Sequence, residues 1–114
     1  MGKDSKRIGK DLVAASATPL VLAILQRGPS YGYAIIQEVR ALSGGELDWS
    51  EGMLYPVLHR MEDGGLIESR EERGDNGRKR RTYRLRPEGK RALAEERRQW
   101  DAVHGALTRA WRTA

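Results

Sequence analysis

Between Arg78 and Arg86 the chain carries Arg78, Lys79, Arg80, Arg81, Arg84 and Arg86 with no acid among them. Cations at this density do not cleave or transfer anything by themselves. Their chemistry is neutralisation of a polyanion, each phosphate they meet releasing condensed counterions and making binding salt-sensitive. The groups that usually carry catalysis are not arranged for it. His59 and His104 are isolated, the carboxylates are scattered among basic residues without a paired geometry, and there is no cysteine. That excludes disulfides, thiolate metal sites and thiol nucleophiles, and leaves no acid–base pair to build on. The expectation is a protein that is not an enzyme and needs no cofactor or metal.

A second group of residues precedes the cations. Ser50 is a cap for a helix predicted over Glu51–Asp63, which Gly64-Gly65 ends. At 100° per residue Leu54, Leu58 and Met61 share a face with Val57 beside them, and that face must turn inward. Gly52, Pro56, His59 and Asp63 lie opposite, with Tyr55 on one shoulder and Met53 and Arg60 on the other. The outward N-terminal end is therefore small or flat and carries donors, the shape required of a helix that enters a DNA major groove. Ser50, Tyr55 and the free amides of the first turn suit phosphates. Glu51 suits them only if it reads a cytosine amino group or pairs with an arginine. Pro56 predicts a distorted start, regular helix setting in near Leu54 or Tyr55.

The elements that must hold these residues follow from caps, periodicity and turn signals. Residues 1–11 read as a flexible basic arm. Thr18-Pro19 reads as the start of a first helix that Gly28-Pro29 stops, with Leu12–Ser16 either extending it or forming a separate turn. Ser30 reads as the cap of a second helix from about Tyr31 to Leu42. Leu66–Glu72 and Lys79–Leu85 are strand-like and joined across Asn76-Gly77, a hairpin signal. Tyr83 and Leu85 alternate with Thr82 and Arg84, so one face of the second strand buries while the other stays charged. Pro87 starts a last helix that runs to about Arg112. The fold class expected is mainly α with a β-hairpin wing: a winged helix-turn-helix over residues 12–86 and a C-terminal dimerisation helix over 87–114. On topology alone, a three-helix domain with an incidental hairpin also fits.

The 114 residues fit one domain, 39% hydrophobic and 32% charged, with a net charge of +5. A basic balance points to nucleic acid or an anionic membrane surface. The longest apolar run, Pro19–Leu25, falls far short of the roughly 20 residues that cross a bilayer. The N-terminus lacks the apolar region of a signal peptide, so a cytoplasmic protein with no membrane partner is expected. In the last helix Leu93, Trp100 and Leu107 are spaced by seven, and Val103 and Ala110 add three-residue steps after Trp100 and Leu107. Glu96 breaks the step after Leu93, and Trp111 lies one turn beyond Leu107. Large apolar residues with no later chain to cover them predict a homodimer through Leu93, Trp100, Val103, Leu107 and Trp111. The competing reading folds this helix back on its own domain as a monomer.

Taken together, Ser30-Tyr31-Gly32-Tyr33-Ala34-Ile35-Ile36, then Leu47-Asp48-Trp49-Ser50-Glu51-Gly52-Met53-Leu54-Tyr55-Pro56-Val57-Leu58, then Gly64-Gly65-Leu66-Ile67-Glu68 and Arg81-Thr82-Tyr83-Arg84-Leu85 resemble the PadR family of bacterial transcriptional regulators. The resemblance covers about Leu20 to Leu93. It implies a winged helix, a dimer through the terminal helix and, usually, repression of nearby genes. Tyr31 and Tyr33 match the family's second-helix motif; Ser50, Gly52, Tyr55 and Pro56 match its recognition helix; Lys79, Arg80 and Arg81 match its basic wing. Arg86 departs from the pattern, standing where the family often has a threonine.

The site expected on double-stranded DNA is therefore Tyr31, Tyr33, Ser50, Glu51, Gly52, Met53, Tyr55, Pro56, His59, Arg60, Arg78, Lys79, Arg80 and Arg81. Some members of the family sense phenolic or drug-like compounds, and Trp100 and Trp111 could stack a small planar hydrophobic effector at a dimer axis. The rival reading is a winged helix used only for protein–protein interaction, which has no need of six cations on one strand. RNA binding is disfavoured by the lack of stacking aromatics on the wing strands.

Overall fold

Thr18-Pro19 does not start the first helix. The computed structural model describes residues 8–113, and in it a single helix, α1, runs over Lys10–Gln26 with Pro19 inside it. Proline removes the bond that Ala15's carbonyl would accept and costs about 3 kcal/mol in a helix interior. Good helix formers upstream (Ala14, Ala15 and Ala17) and burial of Ala17, Val21, Leu22, Ile24 and Leu25 offset that cost. Lys10 and Asp11 thus belong to α1 and not to an arm, and residues 1–7 of the expected arm lie outside the described residues.

The second correction concerns Ser30. It caps nothing; Ser30–Tyr31 form a short strand, β1, and helix α2 spans Gly32–Leu42. Two residues carry no periodic signal, so only their partner reveals them. Helix α3 spans Glu51–Asp63, strand β2 Ile67–Arg73, strand β3 Lys79–Leu85 and helix α4 Pro87–Thr113. The sheet is antiparallel in the order β1-β3-β2. Ser30 pairs with Tyr83 and Tyr31 with Thr82, while β2 pairs with β3 from Ile67↔Leu85 to Arg73↔Lys79. The expected hairpin is thus the outer part of a three-stranded wing.

Helix α3 begins as capped, Ser50 Oγ accepting from the Met53 amide at 3.1 Å. It is helical from Glu51 onward, so the distorted start expected from Pro56 is absent. The bond Pro56 forgoes belongs to the Gly52 carbonyl, and both residues lie on the exposed face. At the other end Gly65 takes φ 78°, the Leu66 amide reaches back to the Met61 carbonyl and the Gly65 amide to that of Glu62. This closure spends the Leu66 amide on the helix, which is why β2 begins one residue later than expected. The wing tip turns through Gly74–Gly77, closed by the Gly77 amide on the Gly74 carbonyl and the Gly74 amide on that of Arg78.

The core lies where α1, α2, α3 and the sheet meet. It holds Val21, Leu22, Ile35, Val39, Leu54, Leu58, Ile67 and Tyr83, all essentially inaccessible, with Leu93 of α4 closing one side. This is a winged-helix fold. Trp49, expected on an extended link, is buried in the same core.

Candidate nucleic-acid interface

On α3 the inward face is Leu54, Val57, Leu58 and Met61, as the helical wheel requires. Ser50, Glu51, Gly52, Pro56, His59 and Arg60 are exposed, and Met53 and Tyr55 are half-buried. The outward N-terminal end is therefore open. Its free amides and the Ser50 cap sit at the positive end of the helix dipole, which favours an anion.

Tyr55 is the residue that seats this helix. Its ring lies where a Cβ on Gly32 would be, and its centroid is 6.4 Å from that of His59. Gly32, to which the sequence alone assigns no role, is what allows the close approach of α2 and α3. Tyr83, behind Tyr55, is buried, and burial pushes its hydroxyl above the usual range, with Tyr55 adding to the effect. Glu62 near the end of α3 accepts from both the amide (3.2 Å) and the hydroxyl (2.7 Å) of Ser69 on β2. Arg81 of β3 in turn donates to Ser69 Oγ at 3.0 Å. This chain ties the wing strands to α3.

Strand alternation divides the cations. Lys79 and Arg81 share the face of Tyr83, which packs inward at its base; Arg80 and Arg84 share the face of Thr82 and, across the pairing, of Tyr31. Arg78, Lys79, Arg80 and Arg81 are all exposed. Glu72 stands opposite Arg80 and Glu71 opposite Arg81. Yet Glu72 accepts from Thr82 Oγ1 at 3.1 Å, and among the described residues none of these four cations makes an ion pair. Arg80 lies over the Tyr31 ring, its Cζ 3.7 Å from the centroid. Tyr33 is 61% exposed on the first turn of α2.

Arg86 has a different place. Its guanidinium stands 3.8 Å from a Glu68 oxygen and 3.5 Å from one of Glu88, so it pins the start of α4 to β2. Glu88 is held below the usual carboxylate range, first by a hydrogen bond with its own backbone amide and then by Arg86.

The expected dimer seam needs one correction. Leu93 is 3% exposed and belongs to the protomer's own core, because the first turns of α4 lie on α1 and β3. Trp100 is half-buried, its Nε1 donating to Glu96 at 3.2 Å, and it lines a cleft of about 300 Å³ with Ala15 of α1. Val103, Leu107 and Trp111 remain exposed. Trp100 and Trp111 are separated by eleven residues, about 16 Å along the axis. Within one chain they do not flank a common ligand. No helix among the described residues is long and apolar enough to cross a membrane.

A family model for the transcriptional regulator PadR-like family matches residues 21–95, from the middle of α1 through the sheet into α4. The chain belongs to the PadR-like family. Among PadR-like crystal structures, a regulator from Clostridium difficile R20291 superposes with a TM-score of 0.74 at 30% identity, over 84% of this chain and 98% of that one. One from Eggerthella lenta gives 0.74 at 31% identity, over 91% and 88%. The transcriptional regulator Rv3488 of Mycobacterium tuberculosis is 55% identical over 49 residues, 43% of this chain. The match spans 45% of Rv3488, so the chain aligns with less than half of that relative's length. The family is one of transcriptional regulators, and the winged helix described above matches the fold of its solved members.

Proposed function

We propose that the chain is a cytoplasmic repressor that binds double-stranded DNA as a homodimer on a pseudo-palindromic operator. The exposed N-terminal end of α3, with Ser50, Glu51, Gly52, Met53, Tyr55, Pro56, His59 and Arg60, enters the major groove. Arg78, Lys79, Arg80 and Arg81 lie on the flanking backbone, and Tyr31 and Tyr33 flank the same surface from the start of α2. The observation that carries this reading is the set of four exposed wing cations that, among the described residues, make no ion pair, joined to α3 through Arg81–Ser69–Glu62.

Exposed Val103, Leu107 and Trp111 supply the apolar surface for a second copy, with Trp100 at its edge. A two-fold axis there places two α3 helices on successive turns of one face of the duplex, about 34 Å apart. A small planar hydrophobic effector would sit between tryptophans of different copies. Selecting bound duplexes from a random pool tests the reading. Enriched inverted repeats with half-sites one helical turn apart support it, and an unenriched pool refutes it.

A further inference from the structure

Tyr31 is the residue that joins three features. It belongs to β1, pairing with Thr82 of β3; it precedes the first residue of α2; and its ring carries the Arg80 guanidinium at 3.7 Å. Arg80 is two positions from Thr82 on the same face of β3, so the strand register sets the two side chains one above the other. A Cβ on Gly74 would stand 3.5 Å from Arg80 Nη1, so the wing loop bounds the guanidinium on another side. The carboxylate across the strand, Glu72, is engaged by Thr82. Arg80 thus rests on an aromatic face, and among the described residues it makes no ion pair with a carboxylate.

We infer that Tyr31 is a positioning residue: its ring is the platform that presents the Arg80 guanidinium to a DNA phosphate, and its hydroxyl is not the contact. Three physical points support this. A planar guanidinium stacks on an aromatic face while its edge donors stay free for a phosphate, which an ion pair with a carboxylate would occupy. An exposed arginine tethered only by its stem has many rotamers to surrender on binding, and the platform removes that cost beforehand. Because Tyr31 is fixed at the start of α2, it also sets where Arg80 stands relative to Tyr55 and α3, which meet α2 at the adjacent Gly32. The inference rests on the DNA-binding reading above and deepens it.

The test is a double-mutant cycle on the full chain, read as the affinity for a selected duplex across a salt series. The variants are Tyr31→Phe, Tyr31→Leu, Arg80→Ala and the pair Tyr31→Leu/Arg80→Ala, each checked for intact folding by thermal unfolding. Phenylalanine keeps the ring and should bind like the parent chain. Leucine should weaken binding several-fold, and Arg80→Ala should make log affinity against log salt shallower by about 0.9 per protomer engaged. In the Arg80→Ala background, Tyr31→Leu should change nothing further. A loss with Tyr31→Phe, or an undiminished leucine effect without Arg80, would assign Tyr31 its own contact and overturn the inference while leaving DNA binding intact. Absence of binding by the parent chain to any duplex overturns both. As a DNA-free arm, the Arg80 δ-protons of the parent and of Tyr31→Phe should show an upfield ring-current shift in NMR spectra that Tyr31→Leu lacks. Equal shifts in all three would contradict the platform.

Discussion

The Tyr55 ring covers Gly32 so closely that a Cβ added there would collide with Tyr55 Oη and stand 2.9 Å from its Cζ. One position on α2 therefore fixes where α3 sits and, through Tyr31 beside it, where the wing joins. Gly32→Ala should destabilise the fold by about 1–3 kcal/mol, the usual cost of overpacking. Equilibrium urea unfolding measures it. Because the obstacle is a side chain, adding Tyr55→Phe should recover part of the loss.

Gly89 gives a harder case. A Cβ at that position would collide with the Leu66 carbonyl oxygen and approach Leu85 Cδ1 to 2.7 Å. Backbone cannot rotate away, so α4 must lift off the base of the wing. Gly89→Ala should cost at least the upper part of the ~1–3 kcal/mol range. The same denaturation experiment should rank it above Gly32→Ala.

The two halves of α4 should separate experimentally. Leu93 is buried in its own protomer, and Leu93→Ala should lower unfolding stability by about 2–5 kcal/mol. Leu107 is 42% exposed, and Leu107→Glu should leave the protomer folded. Sedimentation of Leu107→Glu should show monomer where the parent chain shows dimer. A parent chain that itself sediments as a monomer would refute the dimer, and a variant that stays dimeric would move the contact away from Leu107.

Acid should loosen α4. Glu95 accepts from Arg98 at 2.6 Å and from Gln99 at 2.9 Å, and these bonds, Arg98's first, lower its pKa from 4.5 to about 2. A depressed folded-state pKa contributes stability above the unfolded value, and that contribution fades as pH falls from about 4.5 towards 2. The group is fully exposed, so the effect is a small one. Circular dichroism should show Glu95→Gln slightly less helical than the parent at neutral pH, with the difference closing by pH 2.

Much of this architecture was legible in the sequence because it is written in local signals. Ser50 and Gly64-Gly65 bracket α3 at its observed ends, Pro87 starts α4, and the alternation of Tyr83 with Thr82 and Arg84 gives the buried face of β3. What stayed hidden depends on partners distant in the chain. β1 exists only because Ser30 and Tyr31 meet β3, and in isolation Ser30 looks like a cap. Pro19 looks like a start because the packing that carries α1 through it is tertiary. A seven-residue spacing cannot distinguish Leu93, which faces its own core, from Leu107, which does not. For the candidate interface, composition located the cations, but the use of Glu72 by Thr82 and of Tyr31 by Arg80 is a matter of register.

The proposed function requires the wing cations to act together with the open end of α3 on one duplex. The most direct measurement compares the parent chain with Lys79→Ala/Arg80→Ala/Arg81→Ala on a selected duplex and on unrelated duplexes across a salt series. The triple variant should bind every sequence more weakly and with a shallower salt dependence, by about 0.9 for each phosphate no longer neutralised. Unchanged affinity and an unchanged slope would contradict DNA binding through the wing.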